Sequence, residues 1–313
     1  MVFCETGHDL PKTRTLFLRI SASCYSMAFL SLYPQISGLY GPKGLLPIHG
    51  LLDSSPALDK NQIYNPEKLW QLFKTRPTLL WFSGNIGLSP DLMMDMVCLI
   101  GTFLGVLASL KPSYGSKVLF LTLWVLYQSI YQVGQTFLWF QWDILLLEVG
   151  FLCILVAPWR SSKYFMARPF DHINMMLVRW LLFRMMFASG VVKLTSQCPT
   201  WWNLTALPTH YESQCIPTPL AWYAYQLPEI FHRLSVAGTF FIEIGLVFFF
   251  FAPSDHLRKF SCFHQIMLMA VIMLSGNYNF FNLLFIGLCI SLFDDSWISR
   301  KNEWESVSRF TSM

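Results

Sequence analysis

Charged residues are scarce in this sequence. Of its 313 residues, 13% are charged, about half the roughly 25% of a typical soluble domain. Hydrophobic residues make up 54% and aromatic residues 17%, which is more apolar surface than a core of this size can bury. The shortage of charge therefore excludes an ordinary soluble domain and favours a chain embedded in lipid. The net charge of +4 is too small and too scattered to predict a nucleic-acid partner.

Motifs of soluble enzymes and of metal sites are also missing. The sequence has no Walker loop, GxSxG or HExxH motif, and its 8 cysteines form no CxxC or Cys/His cluster. We therefore expect no metal and no cofactor, and any catalytic set would have to be assembled by the fold. The N-terminal sequence has no clear signal-peptidase site, so we expect the first hydrophobic run to remain as a signal-anchor helix.

What the sequence has instead is a series of hydrophobic runs. They cover residues 16–33, 92–110, 118–140, 144–157, 173–194, 236–252, 260–275 and 280–293. The last two are shorter than the ~20 residues that cross a bilayer. The runs predict an all-α fold, a polytopic transmembrane helical bundle of six to eight membrane helices over residues 1–295. A polar C-terminal tail is expected over residues 296–313.

The positions of the basic residues predict the orientation of this bundle. If each long run crosses once, the short basic loops lie on one side, which the positive-inside rule makes cytoplasmic. These basic residues are Lys111, Lys117, Arg160, Lys163, Arg168, Arg258 and Lys259, with Lys12 and Arg14 at the N-terminus. Loops 34–90 and 195–233 then face the lumen.

Loop 195–233 carries two features of luminal segments. Asn203, Leu204 and Thr205 form a glycosylation sequon without an interrupting proline. Cys198 and Cys215 lie in the same loop, and in an oxidising lumen a disulfide between them would stabilise the fold by about 3 kcal/mol. The alternative is a pair of free thiols.

Several charged residues fall inside the hydrophobic runs, where each costs roughly 2.5 to 3.5 kcal/mol at the centre of the bilayer. They are Arg19, Asp95, Asp143, Glu148, Arg179, Arg184, Lys193 and Glu243. Interhelical ion pairs that fix the packing of the bundle are the favoured interpretation. Glu148, Arg184 and Glu243 lie deeper than the others and are the better candidates for a buried site.

Three glutamines in the run 118–140 form a second polar pattern. Gln128, Gln132 and Gln135 are spaced at i, i+4 and i+7, so a single helix would place them on one face. Hydrogen bonding between helices is the favoured interpretation. The alternative is a polar cavity in a transporter or lipid-handling protein.

A set of longer motifs carries a resemblance to a known family. They are YGPKGLLP at 40–47, QVGQTFLWFQWDILLLEVGFL at 132–152, the segment VRWLLFRMMFASGVVKLTSQCPTWWNLTAL from Val178, HYESQCIPTPLAWYAYQLP from His210, SGNYNFFNLL from Ser275, and the pair Asp294-Asp295. In this order they resemble the lipase maturation factor family. The match runs from about Leu16 to Asp295.

That resemblance implies a multi-pass protein of the endoplasmic reticulum membrane that assists the folding, assembly and export of secreted lipases such as lipoprotein lipase. Lipases as clients and membrane lipids are therefore the expected partners, and the resemblance implies that the chain is not an enzyme. Family members continue beyond the acidic pair into a large C-terminal domain, whereas this sequence has about 18 residues after Asp295. It is therefore expected to be the membrane half alone. Eight crossings would place its C-terminus in the cytoplasm, while five crossings, as in the family, would place it in the lumen.

A shorter segment supports an alternative, enzymatic interpretation. FASGVVKL at 187–194 is similar to a stretch of the vitamin K-dependent carboxylase in which a lysine at the matching place is the catalytic base. That similarity implies Lys193 as a base, with Glu148, Glu243 or Arg184 in an internal polar pocket. A lysine in a low-dielectric site can lose its proton near neutral pH, which a base requires.

Overall fold

The computed structural model describes residues 10–53, 66–159, 168–214, 217–293 and 295. All regular elements in these ranges are helical, which confirms the predicted all-α polytopic bundle. The chain forms two compact units, one of Leu18–Tyr164 and one that combines Met1–Phe17 with Phe165–Met313. The predicted tail 296–313 lies outside the described residues.

The first helix contributes residues to both units. Helix α1 covers Pro11–Leu32, five residues earlier than the predicted start, because proline fits the first turn of a helix, where no backbone N–H partner is needed. A 3₁₀ turn at Tyr33–Gln35 and the short helix α2 (Ile36–Leu39) extend it. Short elements then occupy the predicted loop 34–90: α3 (Ile48–Asp53), α4 (Pro66–Thr75), a 3₁₀ turn at Leu79–Phe82 and α5 (Ser83–Ile86).

The unit Leu18–Tyr164 contains a close approach between α1 and a second long helix at two glycines. Its remaining elements are α6 (Pro90–Leu110), a 3₁₀ turn at Pro112–Tyr114, α7 (Lys117–Val133), α8 (Gln135–Leu138) and α9 (Gln141–Val156). A Cβ at Gly101 would lie 2.5 Å from the ring of Phe29, and one at Gly105 would lie 2.4 Å from Ser26 Oγ. Small residues at this four-residue spacing allow two membrane helices to approach closely.

The predicted helix over 118–140 is wrong in its second half. Helix α7 ends at Val133 with Gly134 as its C-cap, and Gln135 has a left-handed φ of 47°. Gln135 therefore does not continue the face that carries Gln128 and Gln132, and both of those side chains are only half-buried. The pattern of three glutamines on one helix face, which motivated the transporter alternative, is absent.

The second unit contains the longest helices. Its elements after α1 are α10 (Asp171–Thr195), α11 (Pro199–Trp202), α12 (Ala206–Ser213), α13 (Pro219–Tyr225), α14 (Glu229–Phe240), a π-helical segment at Phe241–Gly245, a 3₁₀ segment at Leu246–Phe251, α15 (Asp255–Ser275), α16 (Phe281–Cys289) and a 3₁₀ turn at Ile290–Leu292. Helix α10 packs against the π segment, the following 3₁₀ segment and α16.

Five helical stretches among the described residues are long and apolar enough to cross a membrane. They are Pro11–Leu39, Pro90–Leu110, Asp171–Thr195, Glu229–Phe251 and Asp255–Ser275. The last is longer than the predicted run 260–275, because Asp255 accepts hydrogen bonds from Arg258 and Lys259 within the first turns. Helices α7 and α9 have 17 and 16 residues and Phe281–Leu292 is also short, so six to eight crossings stays a prediction.

Candidate functional site

The most distinctive polar site joins α10 to the π segment. Lys193 Nζ lies 2.5 Å from Glu243 Oε2 and donates a second bond to the carbonyl of Ser189 at 3.1 Å. Glu243 is 4% exposed, whereas the side chain of Lys193 is 18% exposed. The two charges therefore neutralise each other at a place where an isolated carboxylate would be very costly.

The π segment positions Glu243 toward α10. A π turn leaves the regular backbone ladder incomplete, and such segments occur frequently at functional sites. Two side chains of α15 bond the carbonyls of this region: Gln265 Nε2 donates to Ile242 O at 2.9 Å and Ser261 Oγ to Leu246 O at 2.7 Å. A Cβ at Gly190 would lie 2.5 Å from Ile244 Cγ1. Close contact at that glycine brings the two charged side chains within bonding distance.

Lys193 also faces an aromatic side chain from the segment that follows α10. Its Nζ lies 5.3 Å from the centroid of the Trp201 ring, within the range of a cation–π interaction. The Trp201 ring in turn contacts Phe240 edge-on at 6.0 Å. The ammonium thus has a carboxylate, a carbonyl and an aromatic face around it, an arrangement that can hold a charge or share a proton with Glu243.

Of the other two candidates, one lies on α10 and one lies in the other unit. Arg184 is exposed near the middle of α10. Glu148 lies on α9 in the unit Leu18–Tyr164 and is half-buried. The structure therefore brings together Lys193 and Glu243 of the four candidates.

The ion-pair interpretation holds for Lys193 and Glu243, whereas three of the other charges have uncharged partners. Arg19 Nε donates to the carbonyl of Ser109 at 2.8 Å, and Arg179 donates to that of Ser291 at 2.7 Å. Asp143 is 1% exposed and accepts a hydrogen bond from the Tyr127 hydroxyl at 2.6 Å. Backbone carbonyls and a phenol thus serve as partners where opposite charges were expected.

A second buried polar cluster was missed by the sequence analysis. Arg14 is 0% exposed and pairs with Asp171, which also accepts from Arg168 at 2.8 Å. The carboxylate of Asp295 accepts bonds from the backbone N–H of Lys12 at 2.9 Å and of Thr13 at 2.8 Å. Asp295 therefore caps the N-terminus of α1, where a negative charge is favoured. In the sequence, the acidic pair Asp294-Asp295 was the feature that could have indicated this cap. Asp294 lies outside the described residues.

The segment α11–α13, residues 199–225, is anchored to the turn between α15 and α16. The Tyr278 hydroxyl lies 2.9 Å from His210 Nε2, Gln214 Nε2 donates to Ser275 O at 3.0 Å, and Thr218 Oγ1 donates to Leu274 O at 2.6 Å. Burial lowers the pKa of His210 below its usual value, which favours the neutral ring. Loop 195–233 is therefore a folded layer of short helices.

The predicted modifications of this loop stay predictions. Asn203 is exposed at the end of α11, as a glycan would require. Cys198 has a free thiol, and Cys215 lies outside the described residues. The Cys198 pKa is lowered by the side-chain hydrogen bond with Thr200, at 3.1 Å, which makes the thiol more reactive. Within the described ranges no group of three or more His, Cys, Asp or Glu side chains could hold a metal ion.

Comparison with known proteins places these features in a family. The family model for the lipase maturation factor transmembrane domain matches residues 12–300. Lipase maturation factor 2 from Xenopus laevis is 50% identical over 291 residues, covering 91% of this chain and 39% of the relative. The human protein of that name is 45% identical over 302 residues, covering 94% and 41%.

Human lipase maturation factor 1 is more distant, at 33% identity over 290 residues, covering 91% of this chain and 48% of that protein. No solved structure matches the chain. The chain spans about two fifths of the length of the lipase maturation factor 2 relatives it matches. Because the family model covers nearly all of the described residues, the chain belongs to the lipase maturation factor family, whose transmembrane domain it contains.

Proposed function

We propose that this chain acts in the endoplasmic reticulum membrane as a maturation factor for secreted lipases, with lipoprotein lipase as a client. It assists their folding, assembly and export without catalysing a reaction. The observation that carries the proposal is the match to the family's transmembrane domain over residues 12–300. The names of the relatives supply the class of client.

The proposed mechanism uses a fixed membrane bundle that presents folded loops to the client. The α11–α13 segment is bonded to the α15–α16 turn through Gln214 and Thr218, so it needs little ordering when a client binds. A pre-organised surface loses less conformational entropy on binding than a flexible loop. Luminal exposure of this segment, the Asn203 glycan and the Cys198–Cys215 disulfide are parts of the proposal.

The test measures lipase maturation in cells that lack the endogenous protein and its paralogue. We expect secreted lipase activity to fall while lipase synthesis and the secretion of an unrelated glycoprotein stay unchanged. Expression of this chain and of a full-length relative in parallel separates the membrane domain from the rest of the protein. Unchanged secreted lipase activity in the deletion cells would contradict the proposal.

A second candidate function is a membrane-embedded enzyme with Lys193 as base, and the contact of Lys193 with a buried carboxylate motivates it. Glu243 Oε2 lies 2.5 Å from Lys193 Nζ, so a general base at Lys193 would have this carboxylate as its immediate hydrogen-bond partner. A purely structural ion pair would show the same contact between Lys193 and Glu243, so the enzymatic function ranks second.

Lys193→Arg separates the two candidates. Arginine keeps the positive charge and its hydrogen bonds but stays protonated at any accessible pH. The maturation-factor proposal predicts that this variant supports lipase secretion at normal abundance. Loss of function with unchanged abundance and thermal stability would favour the enzyme.

A further inference from the structure

Helix α13 presents an apolar surface and carries no charged side chain of its own. Leu220, Trp222 and Tyr223 are 49%, 62% and 64% exposed, while Ala221 between them is buried. The sequence from 214 to 228 contains no Asp, Glu, Lys or Arg. Exposed apolar patches of this kind mark sites of contact with a protein or a membrane.

The position of α13 is fixed by the ends of two membrane helices. Thr218, its N-cap, donates from Oγ1 to Leu274 O, one residue before the end of α15 at Ser275. The stretch Glu229–Phe251 begins four residues after α13 ends at Tyr225. Only residues 252–254 connect that stretch to α15, so the two run antiparallel. The start of α14 and the end of α15 therefore lie at the same face of the membrane.

Exposed apolar residues continue along the chain from α13 into α14, beside the exposed ion pair of Glu229 and Arg233. Ile230, Phe231 and Leu234 are 57%, 53% and 61% exposed in the first turns of a membrane-spanning stretch whose apolar window is 33% buried. This surface leads into the lipid-facing side of a membrane span and lies at the depth where the helices end. That depth corresponds to the boundary between lipid headgroups and acyl chains. Trp and Tyr are the side chains that prefer this boundary, because their rings combine an apolar body with a polar tip.

We infer that α13 is an interfacial anchor: it lies along the membrane surface with Trp222 and Tyr223 in the headgroup region of the lipid. Its N-cap bond to Leu274 sets the depth, and its lack of charge removes the cost of partial immersion. The anchor holds the α11–α13 segment against the bilayer, so that a client would meet this segment at the membrane surface.

The test is photo-crosslinking of the full chain in endoplasmic reticulum microsomes that contain alkyne-tagged phosphatidylcholine. The photoreactive residue p-benzoylphenylalanine, similar in size to tryptophan, replaces Trp222. Phe248, which is 55% exposed within a membrane span, is the lipid-facing control, and the exposed Lys43 is the aqueous control. A probe at Tyr223 repeats the measurement in case the change at 222 disturbs the fold.

We expect lipid labelling at 222 or 223 similar to that at 248 and several-fold above that at 43. A crosslink to a polypeptide, whether a client or a second copy of this chain, overturns the inference. Lipid labelling at both 222 and 223 no greater than at 43 overturns it as well.

Discussion

Removing Lys193 while leaving Glu243 should destabilise the membrane domain strongly. Removing one partner of a buried ion pair costs about 3 to 5 kcal/mol, because the other charge stays buried without compensation. The Glu243 side chain is 6% exposed and that of Lys193 is 18% exposed. We therefore expect Lys193→Met to cost about 3 kcal/mol. Glu243→Gln should cost about half as much, because the more exposed ammonium keeps its bond to Ser189.

The double variant distinguishes pairing from two independent effects. With both charges removed, Lys193→Met/Glu243→Gln should be more stable than Lys193→Met alone, which gives a coupling energy of about 1 to 3 kcal/mol. Lys259→Met is the matched control, since it removes the same side chain from a pair with Asp255, which is 41% exposed. An exposed pair of this kind contributes less than about 1 kcal/mol.

Thermal unfolding in detergent measures these effects directly. Cys24, Cys98, Cys153, Cys262 and Cys289 are buried free thiols, so in a Cys198→Ser background a thiol-reactive fluorophore reports their exposure as the helices separate. A loss of 3 kcal/mol corresponds to a Tm decrease of roughly 6 to 12 °C. If the double variant loses the sum of the two single losses, Lys193 and Glu243 do not stabilise each other and the reasoning is refuted.

Three further predictions concern the loop and the N-terminus. Folding lowers the pKa of His210, so its neutral form contributes stability above pH ~6.5 that is lost as pH falls. Protease cleavage of α11–α13 in proteoliposomes should therefore increase at acidic pH. The variant His210→Gln should remove that pH dependence. Asn203→Gln should remove a glycosidase-sensitive form on gels; an unchanged, glycosidase-resistant band for the unsubstituted chain contradicts a glycan there. Asp295→Ala should cost about 1 to 2 kcal/mol by removing the cap of α1, measured with the same fluorophore, whereas an unchanged Tm would show that the cap contributes nothing.

The sequence was sufficient to predict the fold class, since hydrophobic runs long enough to span a bilayer have few other interpretations. Errors arose where local composition and helix geometry disagree. The run 118–140 is mostly apolar, but Gly134 ends α7, and an isolated glycine in a helical pattern can mark the end of the helix. The opposite error concerns Arg258 and Lys259, which were predicted to lie in a loop and are part of α15.

The site could be predicted only as a set of candidate charges. Lys193 and Glu243 were identified by the energetic cost of charge in the membrane, but their pairing depends on a π turn that no local pattern indicated. Arg14 was missed for a related reason. It lies among polar residues at the start of α1 and looks like a solvated flank, while its partner Asp171 is 157 residues away. Long-range pairing of single charges leaves no periodic signal in one sequence.

The cap that Asp295 places on α1 has a consequence for how the chain is made. The bonds from Lys12 and Thr13 to Asp295 join residues 283 and 282 positions apart, so the first helix emerges from the ribosome long before its cap exists. At about 5 to 20 residues per second, that interval is roughly 15 to 60 s. During it, the N-terminus of α1 lacks the carboxylate of Asp295, and Arg14 lacks Asp171 until 157 further residues have been made. Completion of this unit is therefore the last step of synthesis of the membrane domain, and a nascent chain stopped before residue 295 should keep its first turn accessible to membrane chaperones.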